Sequence, residues 1–373
     1  MSLYIEPVKN RQALKEFVIF PFHIYRDHDC WVPPLIGGEL KKLDKGKNTV
    51  FRFCEAEYWL ARKDDRVVGR VAGVINHRFN QKYDMNAVRF GRIDFIDEPE
   101  ISRVLLQTVE DWAREKGMDT VLGPLGFTNF DGGGALVAGF DELSTFDAPY
   151  NYKYYPQHFE QHGYNKYFDW VEYQMRVPDQ VPERVERLAA AVQRRLKVRF
   201  LHAKTKKQLM PFARDLFDVV NSAFSSLFGF VELDDRQIDS FIHEFFSFID
   251  PQFVPVILDD RDKVAAFGVT IPSLSLGMQR AGGRLLPFGW YHLRKAMKTY
   301  QTIDLMLTAV RPDLQNKGLN ALLLVEMNRL FIEKGVQFVE TNRELEDNTK
   351  VQGQWKFYNP HLHKRRRCFI KEL

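Results

Sequence analysis

The residues best suited to chemistry in this chain lie between Ile303 and Leu330. Ile303-Asp-Leu-Met-Leu-Thr-Ala-Val310 reads as a buried strand, Arg311-Pro-Asp-Leu-Gln-Asn-Lys-Gly318 as a tight polar loop, and the following run to Leu330 as an amphipathic helix. The loop's backbone N–H groups then project from a helix N-terminus, where unsatisfied donors and the helix dipole favour an anion. Pro312 stiffens the exit from the strand, and Gly318 lets the backbone approach a ligand or take a positive φ. Arg311 and Lys317 add the charge that a pyrophosphate requires. Neither G-x-x-x-x-G-K-[ST] nor G-x-G-x-x-G occurs, so this loop is not a nucleoside-triphosphate or dinucleotide cradle.

Gln315-Asn-Lys-Gly-Leu-Asn320 resembles the Q/R-x-x-G-x-G/A signature of the GCN5-related N-acetyltransferase (GNAT) family. The resemblance implies that the loop holds the pyrophosphate of an acyl-coenzyme A, after a strand that splays from its neighbour to admit the thioester. Val310, Leu314, Gln315, Asn316, Lys317, Gly318, Leu319 and Asn320 would form the binding set, with Asn348 at the start of the last helix as a cap or further contact. Asn320 departs from the family pattern, which has Gly or Ala there. The family also implies a strand N–H that polarises the thioester carbonyl. Leu307, Thr308 and Ala309 are the positions available, and Ala309 is taken as the donor. Glu340 on the next strand is the expected base for the amine. The family often places a Tyr seven residues after the helix-starting Asn. Here that position is Trp355, so Tyr358, one turn on, is the expected proton donor to the thiolate. Convergence of Glu340 and Tyr358 on one cleft would favour an enzyme; divergence would favour a non-catalytic binder or scaffold.

These residues sit in the second of two similar series of elements. A strand at Tyr4–Val8, a helix over 11–25, a hairpin over 58–75, a strand at 87–95, a helix over 98–116 and a strand at 120–123 form the first. A strand at 198–202, helices over 206–228 and 235–248, a hairpin over 253–272 and the strand–loop–helix–strand of 303–341 form the second. The expected fold is α+β: two tandem GNAT-like domains, 1–178 and 197–373, joined by a helical linker, 179–196. In the first, Gly91-Arg-Ile-Asp-Phe-Ile-Asp-Glu-Pro-Glu100 replaces the loop, and its four acids would repel a pyrophosphate. The Gly-rich stretch 123–134, with Asn129, Asp131 and the aromatic run 150–155, reads as an acceptor-site wall. The insertion 276–300 reads as a cover for a cleft.

Composition narrows the partners. A chain of 373 residues is expected to hold about two domains, and a net charge of +4 is too mild for a nucleic-acid binder. Three scattered cysteines and an N-terminus without a secretory pattern point to a reducing cytoplasm. Thirty-one phenylalanines furnish aromatic cores or a tunnel for a long acyl chain. The acceptor is expected to be a small-molecule or lipid-like amine. His158 and His162, at i and i+4, lack a third ligand, and no metal is expected. Lys364-Arg-Arg-Arg367 reads as a charged edge strand, or else as a contact for an anionic membrane or the coenzyme's 3′-phosphate. An aminoacyl-tRNA-dependent transferase is a third reading, disfavoured by the coenzyme-like loop.

Overall fold

The chain opens with β1 (Leu3–Pro7), α1 (Arg11–Ile24) and α2 (Ile36–Leu43), then forms a hairpin of β2 (Cys54–Lys63) and β3 (Arg66–Asn76). Its turn residues Asp64 and Asp65 both take positive φ, the backbone that matches the twist of paired strands. Next come α3 (His77–Tyr83), β4 (Ala87–Phe95), α4 (Pro99–Glu115), β5 (Thr120–Gly123), β6 (Ala135–Ala138), α5 (Tyr154–Gln161) and β7 (Asn165–Arg176). The later elements are α6 (Glu183–Leu196), β8 (Arg199–Leu201), α7 (Lys206–Leu209), α8 (Ala213–Phe224), α9 (Asp235–Phe248), β9 (Val256–Leu258) and β10 (Val264–Pro272). They continue with α10 (Ser275–Ala281), α11 (Gly289–Ala296), β11 (Thr302–Val310), α12 (Leu319–Lys334), β12 (Phe338–Thr341), β13 (Glu344–Leu345), α13 (Thr349–Trp355) and β14 (His361–Glu372). The computed structural model describes residues 2–355 and 358–373.

Two compact units emerge, and both are discontinuous in sequence. One comprises Met1–Val171, Leu274–Arg294 and His363–Leu373; the other comprises Glu172–Ser273 and Lys295–Leu362. The first unit's strands run β1-β2-β3-β4-β5-β14, antiparallel except for the parallel pair β4/β5. The helix between that pair is α4, with Pro99 in its first turn and Ile101, Leu105, Leu106, Val109 and Trp112 buried on one face. Gly73 on β3 lies beneath Trp112, where a Cβ would come within 2.8 Å of the indole.

In the second unit the order from the last residues of β7 is β7-β12-β11-β10-β9-β8. The one parallel pair among these, β11/β12, is again joined by a helix, α12. The repeat legible in the sequence is thus a repeat of topology, and each unit is α+β.

Several expectations change. The stretch 179–196 is not a tether: α6 packs on α12 inside the second unit, with Arg329 bonded to Glu186 at 3.1 Å. The single helix expected over 206–228 is interrupted by a 3₁₀ turn at Met210–Phe212, where Pro211 cannot donate to a helical ladder. Most of the insertion 276–300 belongs to the first unit.

The largest correction concerns Lys364–Arg367, which lie inside the first unit's sheet rather than at an edge. β14 pairs with β5 through Phe369↔Gly123 and with β6 through Arg366↔Leu136, and Lys364 and Arg366 are 1% and 0% exposed. Arg365 and Arg367 both bond to buried Asp169, Lys364 donates to the Leu143 carbonyl, and Arg366 donates to that of Pro149. Burial would push Asp169 up, but the two arginines outweigh it and hold the carboxyl below its ordinary value. These cations are structural and face neither a membrane nor a coenzyme phosphate.

Candidate active site

β12 leaves β11 early, and that departure creates the site. Their parallel pairing begins at Thr302↔Phe338 and ends at Leu305↔Thr341, whereas β11 runs on to Val310. At the parting, Asn342 N–H donates to the Leu305 carbonyl and its side-chain amide to that of Met306. Two successive carbonyls face the same side because β11 carries an extra residue there, where its register with β10 shifts. The chain then turns away to form β13, which pairs with β7. Among the described residues, the last residues of β11 therefore lack a strand on their β12 side.

Register decides which amides face that open side. Arg311 N–H donates to the Ala265 carbonyl of β10, so its alternate neighbour Ala309, opposite Phe267, also directs its N–H at β10. Ala309 is thus committed to the sheet and is not the expected oxyanion donor. Thr308, half-exposed, presents its N–H to the gap.

The loop beyond β11 carries the expected binding set. Gly318 is the α12 N-cap at φ +95°, with no side-chain cap, and the first helical bond runs from Leu322 N–H to the Gly318 carbonyl. The N–H groups of Leu319, Asn320 and Ala321 precede that bond and point out of the helix end. Gly318 is required by its φ and by α6, since a Cβ there would stand 2.8 Å from Val192. Asn316 takes φ 59°, Lys317 is exposed, Gln315 folds its amide onto the Val310 carbonyl, and Leu314 and Leu319 pack toward the core.

Arg311 does not supply charge to the loop's mouth. It is held by Asp259 at 2.9 Å and by both oxygens of Asp313. Arg195 on α6 takes its place beside the loop, donating to the Lys317 carbonyl at 2.9 Å. Sequence reading missed Arg195 because it had assigned that helix to a linker.

Further along α12, Leu324, Met327, Asn328 and Phe331 line a pocket that Tyr358 and Trp355 complete. Asn328 Nδ2 donates to the Tyr358 hydroxyl at 2.8 Å, which leaves that O–H free to donate in turn. Burial raises the Tyr358 pKa against the opposing effect of the Asn328 bond, so the phenol keeps its proton at neutral pH. Asn348 accepts from Val351 N–H and caps α13. No contact with a ligand is needed to explain it.

Glu340 does not converge with Tyr358. Val339 lines the pocket, and alternation turns Glu340 to the opposite face of β12, beside Asp304 and hydrogen-bonded to Gln174 at 3.1 Å. A different carboxyl, Glu344 on β13, bonds to Trp355 of the pocket wall. Its Oε1 accepts from Trp355 Nε1 at 2.8 Å, while Oε2 is buried with no hydrogen-bond partner among the described residues. Burial pushes this carboxyl up to about 7, despite the Trp355 bond. Such a group can exchange a proton at neutral pH.

His158 and His162 have other work: both bond to Ser102, and His158 also to Asp97. The run 150–155 is largely core, with Tyr155 bonded to Tyr25 beside buried Asp94.

No protein-family model matches the chain. It is 26% identical over 371 residues to Protein YghO of Escherichia coli (strain K12), covering 98% of this chain and 94% of that one. It is also 26% identical over 322 residues to a bacterial ceramide synthase of Caulobacter vibrioides (strain NA1000 / CB15N), covering 84% and 82%. Among solved structures, a tandem GNAT protein from the clavulanic acid biosynthesis pathway aligns over 100% of this chain and 98% of its own, with a TM-score of 0.56 at 13% identity. This likeness establishes the fold, two tandem GNAT domains.

Proposed function

We propose that this tandem GNAT-fold protein transfers an acyl group from an acyl-coenzyme A to an amine, using the second unit. The observation that carries the reading is the unpaired end of β11, lying between an uncapped helix N-terminus and a pocket with a proton donor. The pyrophosphate would rest on the amides of Leu319 to Ala321, beside Lys317 and Arg195. From Gly318 to Asn328 is roughly 15 Å along α12 at 1.5 Å per residue, a span suited to an extended pantetheine arm.

In the transfer, the amine nitrogen bonds to the thioester carbon, the carbon–sulfur bond breaks, and an amide and a free thiol result. Thr308 N–H is the strand amide available to the carbonyl oxygen. Glu344, once deprotonated, accepts the proton lost by the amine, and Tyr358 donates one to the departing sulfur. Neither step requires a metal.

The finer reading is a long-chain donor and a lipid-like amine. It draws support from the Caulobacter relative, which bears the name bacterial ceramide synthase, and from the apolar wall of the pocket. A second reading, a non-catalytic coenzyme binder, draws on Glu340 facing away from Tyr358.

Calorimetric titration with acetyl-, octanoyl- and palmitoyl-coenzyme A tests the donor. We expect palmitoyl to bind tightest and Lys317→Glu to weaken every donor by about tenfold, since one charge beside a phosphate contributes on the order of 1 kcal/mol or more. Absence of binding by all three would overturn both readings.

A further inference from the structure

One surface plays no part in the proposed chemistry. Among the described residues, Leu276, Leu285, Leu286, Phe288, Trp290 and Tyr291 are all exposed, Leu286 by 76% and Phe288 by 68%. All six fall within Leu274–Arg294 of the first unit, on α10, α11 and the turn between them. Contiguous exposure of this kind marks a binding surface.

The turn is braced from behind. The Gly283 carbonyl accepts from Ile36 N–H at 2.9 Å, and Gln279 Nε2 donates to the carbonyls of Asp29 and Trp31 at 2.6 and 2.9 Å. Gly283 sits so close to Phe22 that a Cβ would fall 2.4 Å from its ring. At the tip, Trp290 N–H donates to the Leu285 carbonyl at 2.8 Å and its indole N–H to that of Pro287 at 3.0 Å. The tip thus satisfies both tryptophan donors internally, as an apolar environment demands.

Charge identifies the occupant. No acid stands between Asp262 and Asp304, and Arg280, Arg284 and Arg294 are exposed with no acidic partner among the described residues. A two-fold contact with a second copy would set these cations against themselves. Trp and Tyr among exposed apolar side chains, with arginines before and after them in the same stretch of chain, match the interface of an anionic bilayer.

We propose that the surface over residues 276–294 docks the protein on an anionic lipid bilayer, with Leu286, Phe288 and Trp290 entering the headgroup layer and the three arginines meeting lipid phosphates. This docking does not depend on the acyl-transfer reading, and its readout is independent of activity.

The test is flotation of the full chain with vesicles of phosphatidylcholine alone or mixed with phosphatidylglycerol. The wild type is expected to float with the mixed vesicles and to be released by salt. Arg280→Gln with Arg284→Gln should weaken that binding about 30-fold, at roughly 1 kcal/mol per cation. Leu286→Ser with Phe288→Ser should weaken it by on the order of 30-fold or more. These side chains are exposed, and an unchanged circular dichroism spectrum will show that the variants fold. Failure of the wild type to float, or variants that float as well as it does, would overturn the proposal. So would light scattering that finds an oligomer which Leu286→Ser with Phe288→Ser converts to monomer, because the occupant would then be a second copy.

Discussion

Glu340 and Glu344 stand four positions apart, yet only Glu344 bonds to Trp355, which lines the pocket together with Tyr358. Sequence could place Glu340 on the strand after α12, but not the parity that turns it away or the early end of β12 that brings Glu344 against Trp355. A raised carboxyl pKa has two measurable consequences. The amine's proton can be accepted only by the ionised form, so kcat should rise with pH through about 7. Glu344→Gln should remove that limb and lower kcat by about 100-fold or more. Stability should respond in the opposite sense. Between the ordinary value of 4.5 and about 7 the folded chain binds more protons than the unfolded one, so unfolding free energy falls as pH rises across that window. Glu344→Gln should flatten that decline, by on the order of 3 kcal/mol at most. Urea midpoints of both proteins taken at about pH 4.5 and about pH 8 would reveal it. Identical slopes would place the carboxyl in a more polar setting.

At the scale of elements, the sequence was most legible where pattern and turn chemistry agreed. The hairpin of β2 and β3, helix α4, and the β11–loop–α12 series appear within a few residues of their expected bounds. β14 was read as an edge strand because its inward positions carry Lys364 and Arg366, and a run of cations suggests a solvated edge rather than the interior of a sheet. α6 was read as a linker between the domains, whereas its Val192 reaches the loop at Gly318. That contact makes a further prediction. Gly318→Ala must hold an unfavourable positive φ and displace Val192, so it should destabilise the protein by about 1–2 kcal/mol, read as a lower urea midpoint. An unchanged midpoint would mean that the loop is free to rearrange.

At the scale of the molecule, the tandem organisation was legible but its boundaries were not. Repetition of element order is a local property that sequence records. The return of the last strand to the first unit is a long-range pairing that it does not. β14 lies next to β5 in the first unit's sheet, so a chain cut at 178 lacks one of its interior strands. Expressed alone, residues 1–178 should fail to give a cooperative unfolding transition, and deleting 363–373 from the full chain should unfold the first unit. Circular dichroism during thermal melting would check both, and a cooperative transition in the isolated 1–178 fragment would contradict this role for β14.

Amide formation at the second unit is to be measured as amine-dependent release of thiol from palmitoyl-coenzyme A, followed with a thiol reagent against a panel of long-chain and small amines. At least one long-chain amine should elicit release matched mole for mole by amide. Tyr358→Phe should slow that release by about tenfold or more while palmitoyl-coenzyme A still binds. Tight binding of the donor with no amine-dependent release by any acceptor would contradict amide formation and leave a coenzyme-binding protein without transfer chemistry.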